Sequence, residues 1–172
     1  MRSKRIAFLP LMLFVLAADQ LGKFQAMSAL AVGARQPLLG DLLALTHVPA
    51  MGGAFGLFRD WLPGAQLIGF ALLSLCATVI IVSFYRGLAR GELGCAAGLG
   101  LVLGGIVSQT LDLLRFGSGL DFLHLGSVAS NAIPDFNLAD LAIALGVVTL
   151  IVELLATEMA ARALERPGRL SD

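Results

Sequence analysis

Residues 61–85 run from Trp61 to Tyr85 without one charged side chain, and Arg86 follows directly. The hydrocarbon core of a bilayer, about 30 Å thick, needs about 20 consecutive apolar residues of helix, and Trp and Tyr favour the two membrane–water interfaces. A stretch with those ends has one good solution, a helix that crosses a membrane. Three other runs fit less cleanly. One starts at Ile6, after Arg2, Lys4 and Arg5, and reaches Asp19. Another lies between Glu92 and Asp112, and the last begins near Asn137 and continues past Ile151 despite Asp140 and Glu153. The first run also fits a secretory signal peptide, with its basic start and Ala17-Ala18, but three more spans follow it.

Composition agrees with this reading. Of 172 residues, 58% are hydrophobic and 14% charged, against about 45–50% and about 25% in soluble domains, so a soluble fold would leave excess apolar surface in water. The expectation is an all-α membrane protein with four transmembrane helices, spanning about 6–22, 61–85, 93–114 and 137–160, in a single integral membrane domain over 1–172. Twelve basic and twelve acidic residues cancel, which leaves no basic field to hold nucleic acid. Cys76 and Cys95 fall in apolar runs and read as packing residues, and His47 and His124 stand too far apart to suggest zinc.

Basic residues flank the spans unevenly. Arg2, Lys4, Arg5, Arg86, Arg90, Arg162, Arg166 and Arg169 border the termini and the loop between spans two and three. Only Lys23, Arg35, Arg59 and Arg115 are left for the other two loops. Both termini should therefore be cytoplasmic, with residues 23–60 and 115–136 outside. In the third span, Gly94 with Gly98 and Gly100 with Gly104 recur at the four-residue spacing that lets helix backbones approach in lipid. The outer segment from Gly40 to Phe58 is β-branched and glycine-rich, too short for a span and suited to a small strand pair on the membrane surface.

Acidic side chains in or beside spans cost about 2.5–3.5 kcal/mol each on insertion scales. Asp19, Asp112, Asp121 and Asp140 all fall near the outer helix ends, so four carboxylates converge on one face. Two carboxylates held close cannot both ionise cheaply; one keeps a proton while the other acts as a base, as in aspartic proteases. Helix-end aspartates are also ordinary caps, the better reading for Asp41, Asp60 and Asp135. For Asp121 with Asp140, the residues alone leave both readings open.

The segments Asp19-Gln20-x-x-Lys23, Gly52-x-Ala54-Phe55-Gly56, Gly104-Gly105, Gly119-Leu120-Asp121-Phe122 and Phe136-Asn137-x-Ala139-Asp140 stand in order along the chain. Together they resemble the lipoprotein signal peptidase (signal peptidase II) family. The resemblance implies a bacterial inner-membrane aspartyl endopeptidase with no metal or organic cofactor. Its partners would be membrane lipid and diacylglyceryl-modified prolipoproteins, cut just before the lipidated cysteine. It implies Asp121 and Asp140 as the catalytic pair toward the outer face, with Asn137 orienting them or the substrate backbone. Asp19, Lys23, Gly52, Gly105, Gln109 and Asp112 would support the site or contact substrate. A small extracytoplasmic β-cradle between helices 1 and 2 is implied as well, and a groove within one chain suffices, so nothing demands more than a monomer.

Three positions depart from the family pattern. Ala50 stands for an asparagine, Gln109 for an asparagine and Leu113 for an arginine. Gln109 keeps an amide on a longer arm, and Arg115, three residues on from Asp112, is placed to reach that carboxylate instead. The dyad implies chemistry and the departures imply altered substrate choice, as in a divergent paralogue with a narrower range. The alternative is a catalytically weak or inactive paralogue that binds lipidated peptides. An ion pathway, the other reading of four carboxylates, would want charges at mid-membrane and broken helices.

Overall fold

The computed structural model describes residues 4–50, 63–128 and 133–164. In chain order it contains α1 (Lys4–Ala29), β1 (Arg35–Leu39), β2 (Leu43–Ala50), α2 (Pro63–Gly87), α3 (Leu93–Phe116), β3 (Gly119–Leu125) and α4 (Leu138–Leu164). Each helix is long and apolar enough to cross a membrane. They run past the apolar stretches at several ends; α1 continues through Asp19 and Lys23 to Ala29 because both charges are buried and paired. Gly52, the Gly-x-Ala-Phe segment, Trp61 and the basic tail lie outside the described residues.

The central helix is α3. Its most apolar stretch is 56% buried, against 17–22% in the other three, so most of the remaining apolar surface faces outward, as lipid-facing helices require. Glycines make that position possible. A Cβ on Gly100 or Gly104 would strike the carbonyl of Phe8 or Met12 on α1 at 2.6 or 2.7 Å, and one on Gly105 would strike the carbonyl of Ala139 on α4 at 2.6 Å. Gly98 likewise meets the Gly146 carbonyl. The two glycine pairs of the sequence thus serve different neighbours, Gly100 and Gly104 toward α1, Gly94 and Gly98 toward α4. Cys76 is exposed on α2 and does not pack inside the protein, a correction to its reading as a packing residue; an apolar helix face in lipid needs no partner.

α3 ends at Gly117, whose φ of 73° is the left-handed conformation that favours glycine, and its N–H closes on the Leu113 carbonyl at 2.9 Å. The chain then enters β3. The sheet has the order β1-β2-β3, antiparallel throughout. Of the strand pair expected within Gly40–Phe58, only β2 lies in that segment among the described residues; its partner β1 precedes Gly40, and a third strand comes from beyond α3. In β3 the side chains alternate: Leu120, Phe122 and His124 are buried, with Leu120 and Phe122 clustered against Ala26 of α1, while Asp121 takes the other face. At the opposite end of the bundle, the Lys4 ammonium donates to the Tyr85, Arg86 and Leu88 carbonyls and ties α1 to the end of α2.

Candidate active site

Two polar clusters lie side by side where α1, α3, α4 and β3 meet. The first is built on Lys23. Its ammonium pairs with Asp19 at 2.5 Å, one helical turn earlier, and with Asp112 of α3, and all three side chains are buried. Ser108 donates to Asp19 at 2.7 Å, and the Gln20 amide donates to Ser108 Oγ at 2.9 Å and Asp112 at 2.8 Å. One cation facing two carboxylates needs these extra donors, because a buried charge is tolerated only when its lone pairs are satisfied. Arg115 does not reach Asp112 as the spacing suggested. It donates to Gln20 at 3.0 Å, so its link to that carboxylate passes through the amide; Lys23 and Gln20 already occupy Asp112.

The second cluster is built on Asn137, the residue that caps α4. Asn137 Oδ1 accepts the Asp140 N–H at 3.0 Å, and Asp140 Oδ2 accepts the Asn137 N–H at 3.2 Å, a reciprocal capping arrangement. The same amide donates Nδ2–H to Asp121 Oδ1 at 2.8 Å and to the Leu120 carbonyl at 3.3 Å. One residue therefore holds both carboxylates, Asp121 through its side-chain amide and Asp140 through its backbone N–H. Gln109 donates to Asp140 Oδ1 at 2.5 Å from α3, so the longer amide does touch the pair. Burial, and then the nearby Asp140 charge, push the Asp121 carboxyl from 3.8 up to about 7, against the pull of the Asn137 hydrogen bond and the Lys23 charge.

The clusters are joined at one point. Asp19 Oδ1 accepts the Ala139 N–H at 3.0 Å, so the Lys23 cluster holds the first turn of α4 where Asp140 sits. Gly105 belongs to the same joint, since its bare backbone lies on the Ala139 carbonyl. The four carboxylates thus gather at one end but divide into two pairs of different character, Asp19 and Asp112 sharing the single cation of Lys23, Asp121 and Asp140 both held by the uncharged Asn137. Among the described residues no three His, Cys, Asp or Glu side chains are grouped to hold a metal ion.

Sequence reasoning missed two side chains in or beside these clusters. Ser108 was not singled out, although it stands one turn before Asp112 on the helix that carries Gln109. Asp135, read as a cap, instead accepts hydrogen bonds from His124 at 2.7 Å and from Arg35 at 3.0 Å.

A family profile described as Signal peptidase (SPase) II matches residues 11–156. The chain belongs to the signal peptidase II family. It is 36% identical over 148 residues to a lipoprotein signal peptidase of Moorella thermoacetica, covering 86% of this chain and 92% of that protein. With a lipoprotein signal peptidase of Pseudomonas putida it shares 32% identity over 153 residues, 89% of each chain. Two solved bacterial membrane enzyme structures have the same fold. One, at 2.3 Å, has a TM-score of 0.75 at 20% identity, covering 94% of this chain and 91% of that one. The other, at 1.9 Å, has a TM-score of 0.72 at 22% identity and covers 84% and 90%. As a signal peptidase II relative, this multi-pass membrane protein is a protease of an aspartic peptidase family.

Proposed function

We propose that the chain is an aspartyl endopeptidase that removes the signal peptide from diacylglyceryl-modified prolipoproteins, cutting before the lipidated cysteine, with Asp121 and Asp140 as its catalytic pair. The observation that carries this reading is that Asn137 holds both carboxylates, Asp121 by its side-chain amide and Asp140 by its backbone N–H, at the end of the bundle where the sheet stands. The site faces the outer leaflet of the bacterial inner membrane, where a lipidated cysteine is anchored, and both termini are cytoplasmic, as the basic residues argue. A single chain holds the whole constellation, so a monomer suffices.

The two carboxylates suit different tasks. Asp121, which retains its proton to about pH 7, donates it to the scissile carbonyl oxygen. Asp140 accepts from Gln109 and the Asn137 backbone in the first turn of α4, contacts that suit an anion, and takes a proton from the attacking water. The hydroxide oxygen bonds to the carbonyl carbon and gives a gem-diol. In the collapse, the C–N bond breaks, Asp140 passes its proton to the leaving amine of the lipidated cysteine, and Asp121 recovers one from a hydroxyl. The dyad ends as it began. Asp19, Lys23 and Asp112 brace the turn that carries Asp140.

The test is cleavage of a diacylglyceryl-modified prolipoprotein by the purified protein in detergent, beside Asp121→Asn and Asp140→Asn. Cleavage by the parent and none by either variant is expected, since an amide can neither accept the water's proton nor share one. A parent that binds the substrate but never cuts it would overturn the reading.

A further inference from the structure

Asn137 can bridge the dyad only if the segment that delivers it to α4 is held in register. Among the described residues its backbone is pinned to β3 at Phe136, which exchanges hydrogen bonds with Leu123 at 2.9 Å in each direction and whose carbonyl also accepts the Phe122 N–H at 3.2 Å. A hold at one residue is a pivot, and about it the following residue can still turn.

The second hold is a side chain. Asp135 Oδ1 accepts from His124 Nδ1 at 2.7 Å, and its two oxygens receive Arg35 Nη2 at 3.2 and 3.0 Å. His124 is fully buried and turns its other nitrogen to the Ser127 carbonyl at 3.1 Å, while Arg35 also donates to the Val128 carbonyl at 3.2 Å. The cluster therefore ties β1, β3 and the start of the β3–α4 connection to the residue two before Asn137. Arg35 and Asp135 are partly buried, and such ion pairs add little to stability, because desolvation and screening offset much of their attraction. What this one adds is a fixed geometry next to a site that needs one.

We propose that Asp135, held by His124 and Arg35, is a positioning residue for the dyad: it fixes the segment entering α4 and so keeps Asn137 where its side-chain amide donates to Asp121 and its backbone N–H donates to Asp140. The inference rests on the peptidase reading above. The charged groups acting on Asp121 are Asp140 from α4, Lys23 from α1 and Asp135 itself, whose negative charge helps Asp121 keep its proton.

The experiment measures kcat, KM and the pH profile of prolipoprotein cleavage for the parent, Asp135→Ala, Arg35→Ala and Arg35→Lys, with thermal midpoints in the same detergent. Displacements of about 1 Å in a catalytic group can cost about a hundredfold, so Asp135→Ala should lose about tenfold or more in kcat with KM within about twofold. Its alkaline limb should move to lower pH. Arg35→Ala should lose kcat in the same way and Arg35→Lys should regain most of it. If Asp135→Ala does not fold, the two Arg35 variants decide. Unchanged kcat and pH limb in the variants that fold would overturn the inference, as would equal losses in Arg35→Ala and Arg35→Lys that track thermal midpoint alone. A parent that does not cut defeats the peptidase reading instead, which separates the two failures.

Discussion

Asp121 and Asp140 are both held by Asn137 yet meet different surroundings, and that difference is testable residue by residue. The folded chain keeps the Asp121 proton up to about 7, while the unfolded chain releases it near the ordinary 3.8. Between those values the folded state binds more protons than the unfolded one, so stability falls as pH rises through that window. Asp121→Asn removes the titrating group. The parent's thermal midpoint in detergent should fall from pH 4 to pH 8 more steeply than the variant's, and at pH 8 the variant should melt higher. Parallel curves would show that burial of Asp121 costs nothing. Gln109 gives a second prediction. Its 2.5 Å hydrogen bond to Asp140 is of the charged kind worth about 1.5–3 kcal/mol, so Gln109→Leu should cut kcat by about ten- to a hundredfold. Parent-like turnover would remove Gln109 from the site.

At the scale of elements, α3 touches α1 with one stripe of glycines and α4 with another, so the two stripes have separable effects. A Cβ at Gly105 meets the Ala139 carbonyl, one residue from Asp140, whereas a Cβ at Gly104 meets Met12 and Val15 of α1. Overpacking at either costs about 1–3 kcal/mol. Gly105→Ala should lower kcat by about tenfold by moving the first turn of α4, while Gly104→Ala should mainly lower the thermal midpoint; identical effects in both assays would refute that division. The helices were legible from sequence because a membrane span declares itself within its own apolar run, as residues 61–85 do. β3 was not, because its strand character depends on β2, a partner from the other side of two helices. Asp135 hid for the same reason. Its partner Arg35 lies 100 residues away, and only the fold brings a presumed cap to a guanidinium. Asp121 and Asp140 stood out in the sequence only through a resemblance, and the pairing of Asp19 and Asp112 on Lys23, which sets them apart from Asp121 and Asp140, became visible only in the fold.

The whole molecule has two unlike ends. At one, the sheet and both carboxylate clusters gather; at the other, Lys4 grips the end of α2 near Arg86 and Arg90. Which end faces the cytoplasm follows from a rule about basic residues in short loops, and the turn between α2 and α3 carries Arg86 and Arg90 within a few residues of both helix ends. On the orientation proposed above, the other end faces outward, on the side of the proposed lipid-anchored substrate. Labelling decides it. With Cys76 and Cys95 replaced by Ala, one cysteine is placed at Arg90 or at Asp41, both exposed, and intact cells are treated with a membrane-impermeant maleimide. Arg90→Cys should react only after the membrane is opened, and Asp41→Cys should react in intact cells. The reverse pattern would turn the protein over, put Asp121 and Asp140 on the cytoplasmic face, and leave the catalytic geometry intact but out of reach of the proposed substrate.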